Sequence, residues 1–443
     1  MKLLVAAAEV APLVRTGGLG DAVAGLSRAL ARRGHDVTVA IPGYRDVRTT
    51  VPDRSWGTAG HRDFRVIVRR DDGAFDRPGV YGPTPGSGYD DNWWRFGCFA
   101  ASVAAIADDF DMVHLHDGHV GGAAPLISGP TVATIHNASH HLLGPLQPAV
   151  DLLGLDEVAA ADLEWYGQAN YLKALMVGAS RVTTVSPTHA AELTQEETSF
   201  GLAGVVASLS HPIVGILNGI DVDSWDPAID ATLPAPFSAR DPAPRAKSRQ
   251  ALLDLTGIDD GVIFGNVGRM ARQKGLDLLE PILARLVEEG VRLVLVGSGE
   301  LDVLVDDWVD RYEGKVTHLA YDERLARLVC AGADAYLMPS EFEPCGLGQL
   351  YSMHYGAPPV VHLTGGLADS VVDADDDPEA GTGFGFHGYG SATLEAAVLR
   401  AAAVFRDEPD RWSAIQRSGM SRDWSWAARA GEYESVYEAA QAP

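Results

Sequence analysis

The stretch LLVAAAEVAPLVRTGGLGDAVAGLSRALARRGHDVTVAI, residues 3–41, decides the architecture. Residues 3–8 are an unbroken apolar run cut off by Glu9, and residues 37–41 are a second run of β-rich composition. A run that is apolar at every position reads as a strand covered on both faces, the pattern of a parallel sheet. Between the two, residues 22–33 carry Val23, Leu26 and Leu30 at helical spacing, with Arg32 and Arg33 in the last turn and Gly34 as the stop. Strand, glycine turn, helix and strand together open a doubly wound sheet.

Outward from there the alternation continues. Short β-rich runs recur at 112–115, 132–135 and 182–185. Residues 227–244 then hold five prolines with mixed charge and no apolar period, the composition of a linker. Beyond it strands are expected at 262–267, 293–296, 335–338 and 359–362, with a helix over 277–289. The expected organisation is an α/β domain over 1–227, a linker over 228–247, a second α/β domain over 248–420 and a C-terminal segment over 421–443. In that last segment Trp426, Tyr433 and Tyr437 share a helical face, suited to packing back on the first domain or within the second.

Composition narrows the function. A chain of 443 residues is long enough for two full cores. Its formal net charge of -25 makes nucleic acid a poor partner, so any phosphate must be held by cations gathered locally. Cys98, Cys330 and Cys345 are odd in number and far apart, which supports neither a disulfide framework nor a cysteine-rich metal site and fits a reducing compartment. The N-terminal apolar run reads as a strand rather than a leader, and no run approaches the ~20 residues of a membrane span, so a cytoplasmic protein with no membrane partner is expected. The acidic run at 373–377 reads as a solvated loop.

Three strand-end stretches carry chemistry. Arg15-Thr16-Gly17-Gly18-Leu19-Gly20-Asp21 lies between a strand and a helix, where bare amides can meet an anion or a sugar hydroxyl. Its spacing is not that of a dinucleotide fingerprint and no Walker lysine follows, which disfavours hydride and phosphoryl transfer. Gly268-Arg269-Met270-Ala271-Arg272-Gln273-Lys274-Gly275 follows the 262–267 strand and suits a diphosphate, Arg binding two oxygens at once and Lys adding a point charge. Pro339-Ser340-Glu341-Phe342-Glu343-Pro344-Cys345-Gly346-Leu347 follows another strand; Glu343 there can bind sugar hydroxyls or cap a helix. Of the histidine-rich stretches, His114 and His116 share a strand face that Asp117 does not, an incomplete metal set. His136 and Asn137, at the tip of the 132–135 run, suit hydrogen bonds to a neutral sugar ring or a turn role.

In order along the chain, these stretches resemble the bacterial glycogen synthases and plant starch synthases. The match runs through Glu9-Val10-Ala11-Pro12, Gly17-Gly18-Leu19-Gly20-Asp21, Phe75-Asp76-Arg77-Pro78-Gly79, Thr134-Ile135-His136-Asn137, Gly215-Ile216-Leu217-Asn218-Gly219, Gln273-Lys274-Gly275, Phe342-Glu343-Pro344-Cys345-Gly346-Leu347 and Thr364-Gly365-Gly366-Leu367. The resemblance implies a GT-B fold, two facing doubly wound parallel-sheet domains with an interdomain cleft. It implies a retaining transfer of glucose from ADP-glucose to the non-reducing end of an α-1,4-glucan, with no metal and no other cofactor. Arg269 and Lys274 would then neutralise the leaving diphosphate, and Glu343 and His136 would hold the glucose. Arg15, Gly18, Asp21, Tyr321, Gly346, Leu347 and Gly366 would line the donor, and Asp117, Asn137 and Asn218 the sugar or acceptor side. Arg15, Gly118 and Gly348 stand where the family usually has Lys, Trp and Thr. With shortened first-domain loops, those changes leave open a smaller acceptor or a UDP-sugar donor, and a non-catalytic glucan- or nucleotide-sugar-binding relative is the remaining alternative.

Overall fold

In the computed structural model, which describes residues 1–47, 50–84 and 86–442, the first apolar run is strand β1 (Lys2–Ala6). It lies at the centre of a sheet with β2 (Asp36–Pro42), β3 (Trp56–Ala59), β4 (Arg65–Arg69), β5 (Met112–His116) and β6 (Thr131–Ile135). Three short strands, β7 (Leu143–Pro145), β8 (Glu164–Trp165) and β9 (Gln168–Asn170), make a small antiparallel sheet of their own. The large sheet is completed by β10 (Arg181–Thr184) and β11 (Val214–Gly215), in the order β11-β10-β6-β5-β1-β2-β4-β3. Among the described residues only the β3–β4 pair in it is antiparallel.

The second half forms a six-stranded, all-parallel sheet of β12 (Val262–Val267), β13 (Val291–Val296), β14 (Val316–Leu319), β15 (Ala335–Met338), β16 (Pro359–His362) and β17 (Phe384–Phe386). Their order is β14-β13-β12-β15-β16-β17. The helix expected over 277–289 starts only at Leu283, because Pro281 cannot donate its amide and breaks the run into a 3-10 turn, Leu276–Leu279, and a helix, Leu283–Glu288. Among the described residues no helix is long and apolar enough to cross a membrane, and the three cysteines are free thiols.

The chain divides into two units, Met1–Gly219 with Trp426–Pro443, and Ile220–Ser425. This corrects the expected boundaries at 227 and 420 and the linker over 228–247. Residues 220–244 are built into the second unit: Trp225, Leu233 and Phe237 are buried in its core, Trp225 against Tyr351 and Tyr355 and Phe237 against Tyr355. Asp230 beneath them accepts from Tyr355 Oη at 2.8 Å and pairs with Arg327 at 3.1 Å. Single large side chains spaced by prolines fill separate holes and leave no period to read. The acidic run at 373–377 is only in part the expected solvated loop: Asp375, Asp376 and Asp377 are exposed, but buried Asp373 accepts from Gly385 N at 2.6 Å and pairs with Arg400 at 2.7 Å, while Asp375 pairs with Arg400 and Arg411.

In the first unit, helix α1 (Gly18–Arg32) and the C-terminal helix Trp426–Gln441 share a core in which Trp426, Tyr433 and Tyr437 are buried. Arg33, just past the end of α1, forks onto Glu434 with bonds of 2.8 and 2.5 Å, and Tyr437 Oη meets buried His114 Nδ1 at 2.9 Å. Gly25 supplies the seat for Trp426, because a Cβ at that position would lie only 2.0 Å from the indole Nε1. Ala in place of a helical Gly gains roughly 1 kcal/mol of propensity, but overpacking a closed core costs about 1–3 kcal/mol. Gly25→Ala is therefore expected to lower the denaturation midpoint, whereas Gly204→Ala, with open space around its Cβ, is expected to hold or raise it.

Candidate active site

A doubly wound sheet binds ligands outside the carboxyl ends of its strands, where the winding reverses. In the second unit that point lies between β12 and β15. The loop after β12 carries Arg269, which is exposed and among the described residues makes no ion pair or side-chain hydrogen bond. A 3-10 turn, Arg272–Lys274, follows and ends at Gly275, whose φ of +71° and contact with the Pro339 carbonyl leave no room for a side chain. Glu341 N donates to Gln273 O at 2.9 Å, joining this turn to the loop after β15. Across that join Lys274 Nζ meets Glu343 Oε2 at 2.5 Å, and Ser340 Oγ donates to the same oxygen at 3.1 Å. Sixty-nine positions apart in the chain, Lys274 and Glu343 thus form one cation–carboxylate pair, the carboxylate largely buried and the ammonium partly open.

Gly346, at φ +71°, and Leu347 lead into the short helix Gly348–His354. Gly366 N donates to the carbonyls of Glu343 at 3.0 Å and Pro344 at 3.1 Å, so the turn that opens the helix Gly365–Ser370 rests on the Glu343 loop. Buried Gln349 donates to the Cys345 and Gly346 carbonyls at 2.9 and 3.1 Å. A Cβ on Gly348 would lie 2.9 Å from Tyr336 Oη, which accounts for the missing hydroxyl-bearing side chain at that place. Tyr321 lies beyond β14, on the turn before the helix Glu323–Gly332, and is 53% exposed.

In the first unit the winding reverses between β1 and β5. Beyond β1, Arg15 pairs with Asp21 at 3.0 Å, and Gly17 and Gly18 are exposed at the start of α1. Beyond β5, Asp117 adopts φ +60° and its Oδ1 accepts from His136 N at 2.7 Å, so the carboxyl grips the end of neighbouring β6. His136 Nε2 meets His116 Nδ1 at 2.8 Å. Burial lowers His136, His114 and His119 each to about 3, and lowers His116 as well, so the set is neutral at physiological pH. Neutral His136 with one ring nitrogen engaged offers the other to a hydroxyl. Asn137 Oδ1 is used locally, accepting from Ser139 N at 3.0 Å and Oγ at 2.7 Å. Asn218 is buried near the end of the unit's first segment, its Oδ1 without a partner among the described residues. Among the described residues no three His, Cys, Asp or Glu side chains are grouped to hold a metal ion.

Sequence reasoning did not single out Glu9 or Tyr81 as site residues. Glu9 is 2% exposed, and Tyr81 Oη donates to it at 2.5 Å. The one signal was the carboxylate that interrupts the first apolar run.

Burial, opposed by the amides of His136 and Asn137 and aided by Glu9, pushes Asp117 up to about 7 from an ordinary 3.8. Between those values the unfolded chain ionises this carboxyl while the folded one keeps its proton, so its contribution to stability falls as pH rises through that window. Asp117→Asn keeps the accepting oxygen and nearly the same side-chain shape, yet cannot titrate. The variant is expected to gain on the parent by on the order of a few kcal/mol between mildly acidic and neutral pH, read from denaturant midpoints across that range.

A family model described as the starch synthase catalytic domain matches residues 2–208, and one described as glycosyl transferases group 1 matches residues 254–416. The glycogen synthase of Alkalilimnicola ehrlichii is 39% identical over 99% of this chain and 98% of its own length. That of Halorhodospira halophila is 38% identical over 99% and 98%. Among solved structures, the catalytic domain of starch synthase IV from Arabidopsis thaliana, bound to ADP and acarbose, superposes with a TM-score of 0.87 at 29% identity over 99% of each chain. A sucrose-phosphate synthase from Thermosynechococcus elongatus, with a TM-score of 0.66 at 19% identity over 99% and 98%, shares the fold.

Proposed function

The chain belongs to the glycogen synthase and starch synthase family, a glucosyltransferase of GT-B fold, and from that premise we propose that it transfers glucose from ADP-glucose to the non-reducing end of an α-1,4-glucan, with retention and without a metal or other cofactor. The observation that carries this reading is the Lys274–Glu343 pair at the reversal point of the second sheet, with Arg269 exposed on the same loop as Lys274. In a chain of net charge -25, two cations and one carboxylate gathered on strand-end loops are a local arrangement for a diphosphate and the sugar attached to it.

The barrier in such a transfer is negative charge growing on the leaving diphosphate while positive charge grows on the sugar carbon. Arg269 and Lys274 answer the first, taking the place a metal would otherwise fill. Glu343 answers the second and binds hydroxyls of the glucose; its pairing with Lys274 holds both groups in place before the donor arrives. Neutral His136 hydrogen-bonds the same sugar without adding charge next to the developing cation. The Gly346–Leu347 turn offers amides to the phosphates, Gly366 lines the donor while its own amide holds the Glu343 and Pro344 carbonyls, and Tyr321 offers a ring face to the base. Gly18, Asp21 and Arg15 line the donor from the first unit, and Asp117, Asn137 and Asn218 the sugar and acceptor side. The three free thiols fit the cytoplasm as its compartment.

Release of ADP from ADP-glucose, measured with and without glycogen, tests the reading; glycogen-dependent release is expected, and donor binding without turnover would overturn it. UDP-glucose in parallel assigns the base. Lys274→Ala is expected to weaken donor use by about 10²–10³-fold, the cost of removing one fixed transition-state contact. Glu343→Ala is expected to abolish transfer with the fold intact, and near-normal turnover in that variant would remove Glu343 from its role.

A second reading, transfer to a smaller acceptor, is favoured by Gly118. This residue is buried, and a Cβ there would lie 3.3–3.4 Å from the carbonyls of His140 and His141 and the amide of Leu172, so backbone occupies the space beside the Asp117 turn. ADP release that needs maltose or a short oligosaccharide, and not glycogen, would select it.

A further inference from the structure

We propose that Glu9 is a positioning residue of the first unit, a buried anion that fixes the Thr16–Gly17 turn in the shape that presents Gly18 and the start of α1 to the donor. The proposal rests on the reading that this turn faces the nucleotide sugar. Glu9 stands three residues beyond β1 and is 2% exposed. Its Oε2 accepts from Thr16 N at 2.6 Å and from Gly17 N at 3.3 Å; its Oε1 accepts from Thr16 Oγ1 at 2.5 Å and from Tyr81 Oη at 2.5 Å. All four donors are neutral, and none of them is a cation.

Among the described residues no cation pairs with Glu9, and a carboxylate buried in that way costs several kcal/mol that an apolar side chain of the same size would not. A residue serving only the core has no reason to incur that cost. Three of its four bonds go to Thr16 and Gly17, both exposed, so the charge is directed at an open turn. The face of the turn away from Glu9 is unobstructed, with nothing within 4 Å of a Cβ built on Gly17. The turn is also tied from its other side, since Ala11 N donates to Gly20 O at 3.0 Å and Val14 N to Val10 O at 2.9 Å. Glu9 thus closes a small ring of backbone around the residues that precede α1. By using the amides of Thr16 and Gly17 itself, it leaves those of the first turn of the helix to a ligand.

The test uses the full chain with Glu9→Gln, Thr16→Val and the double variant, assayed for the Michaelis constants of ADP-glucose and glycogen and for amide exchange at Thr16 and Gly17. Glutamine offers one accepting oxygen where the carboxylate offers two, and Thr16→Val removes one donor from an exposed site without touching the carboxylate. The expected result is a donor KM raised at least tenfold in Glu9→Gln and about threefold in Thr16→Val. The glycogen KM and thermal midpoint should stay near the parent's, amide exchange at residues 16 and 17 should be at least tenfold faster in Glu9→Gln, and the double variant should be no worse than Glu9→Gln alone. A donor KM within twofold of the parent in Glu9→Gln, or effects of the two substitutions that multiply, would overturn the proposal. If Glu9→Gln does not fold, Thr16→Val decides it: an unchanged donor KM overturns it and the threefold rise supports it. A parent enzyme that releases no ADP overturns the donor reading, and this proposal with it; active parent enzyme with an indifferent Glu9→Gln overturns this proposal alone.

Discussion

A doubly wound parallel sheet reverses its winding at one point, and that constraint governs where chemistry can gather in each unit. The connections that follow the parallel strands β12 and β15 run to opposite sides of the reversal, one toward β13 and the other toward β16, which opens a crevice at their carboxyl ends. Lys274 and Glu343 meet only because those two loops start side by side. The same geometry recurs in the first unit, where the loops beyond β1 and β5 bring Arg15, Asp21 and Asp117 to one end of the sheet. Glycines permit the close approaches, most plainly Gly275 against the Pro339 carbonyl and Gly366 against Cys345.

The two units differ in how they treat charge. The second keeps a compensated pair with a partly open ammonium and an exposed Arg269, a setting in which phosphate oxygens can replace the carboxylate as partners of the ammonium. The first also has an open pair, Arg15–Asp21, but it buries the polar groups beyond β5: His114, His116 and Asp117 are all below 9% exposure, and Glu9 lies close enough to raise Asp117. Inside a low dielectric these groups hold their tautomers and protons firmly, and they serve orientation better than charge neutralisation. Orientation is passed along bonds, from Tyr437 through His114 to Thr134 and Thr183 on β6 and β10, at 2.9, 2.6 and 2.6 Å.

Much of this was legible in the chain itself, for a physical reason. Strands buried on both faces are unbroken apolar runs, and the loops that follow them are short and glycine-rich, so β1, β2, β5, β6, β12, β15 and the residues beyond them stand out. The ordered motifs likewise pointed to the family. What stayed hidden lacked a period or a local partner. Phe237 and Trp225 are isolated among prolines and reveal their burial only against Tyr355; Asp373 looks like one of several surface acids until Arg400 is seen beside it. Glu9 reads as the end of a strand, and its four donors come from two separate stretches of chain. The Lys274–Glu343 pair could be named residue by residue, but their contact depends on strand order, which no local pattern encodes.

The C-terminal helix adds a constraint in time. Residues 220–425 are continuous, so the second unit has all of its chain as soon as they leave the ribosome. The first unit does not: its core lacks Trp426, Tyr433 and Tyr437 until the entire second unit has been made. Chains ordinarily fold from the N-terminus forward during synthesis, but here the second unit's core has all of its residues before the first unit's does. Until the last helix is made, the seat at Gly25 has no Trp426 to fill it and His114 no Tyr437 hydroxyl to meet.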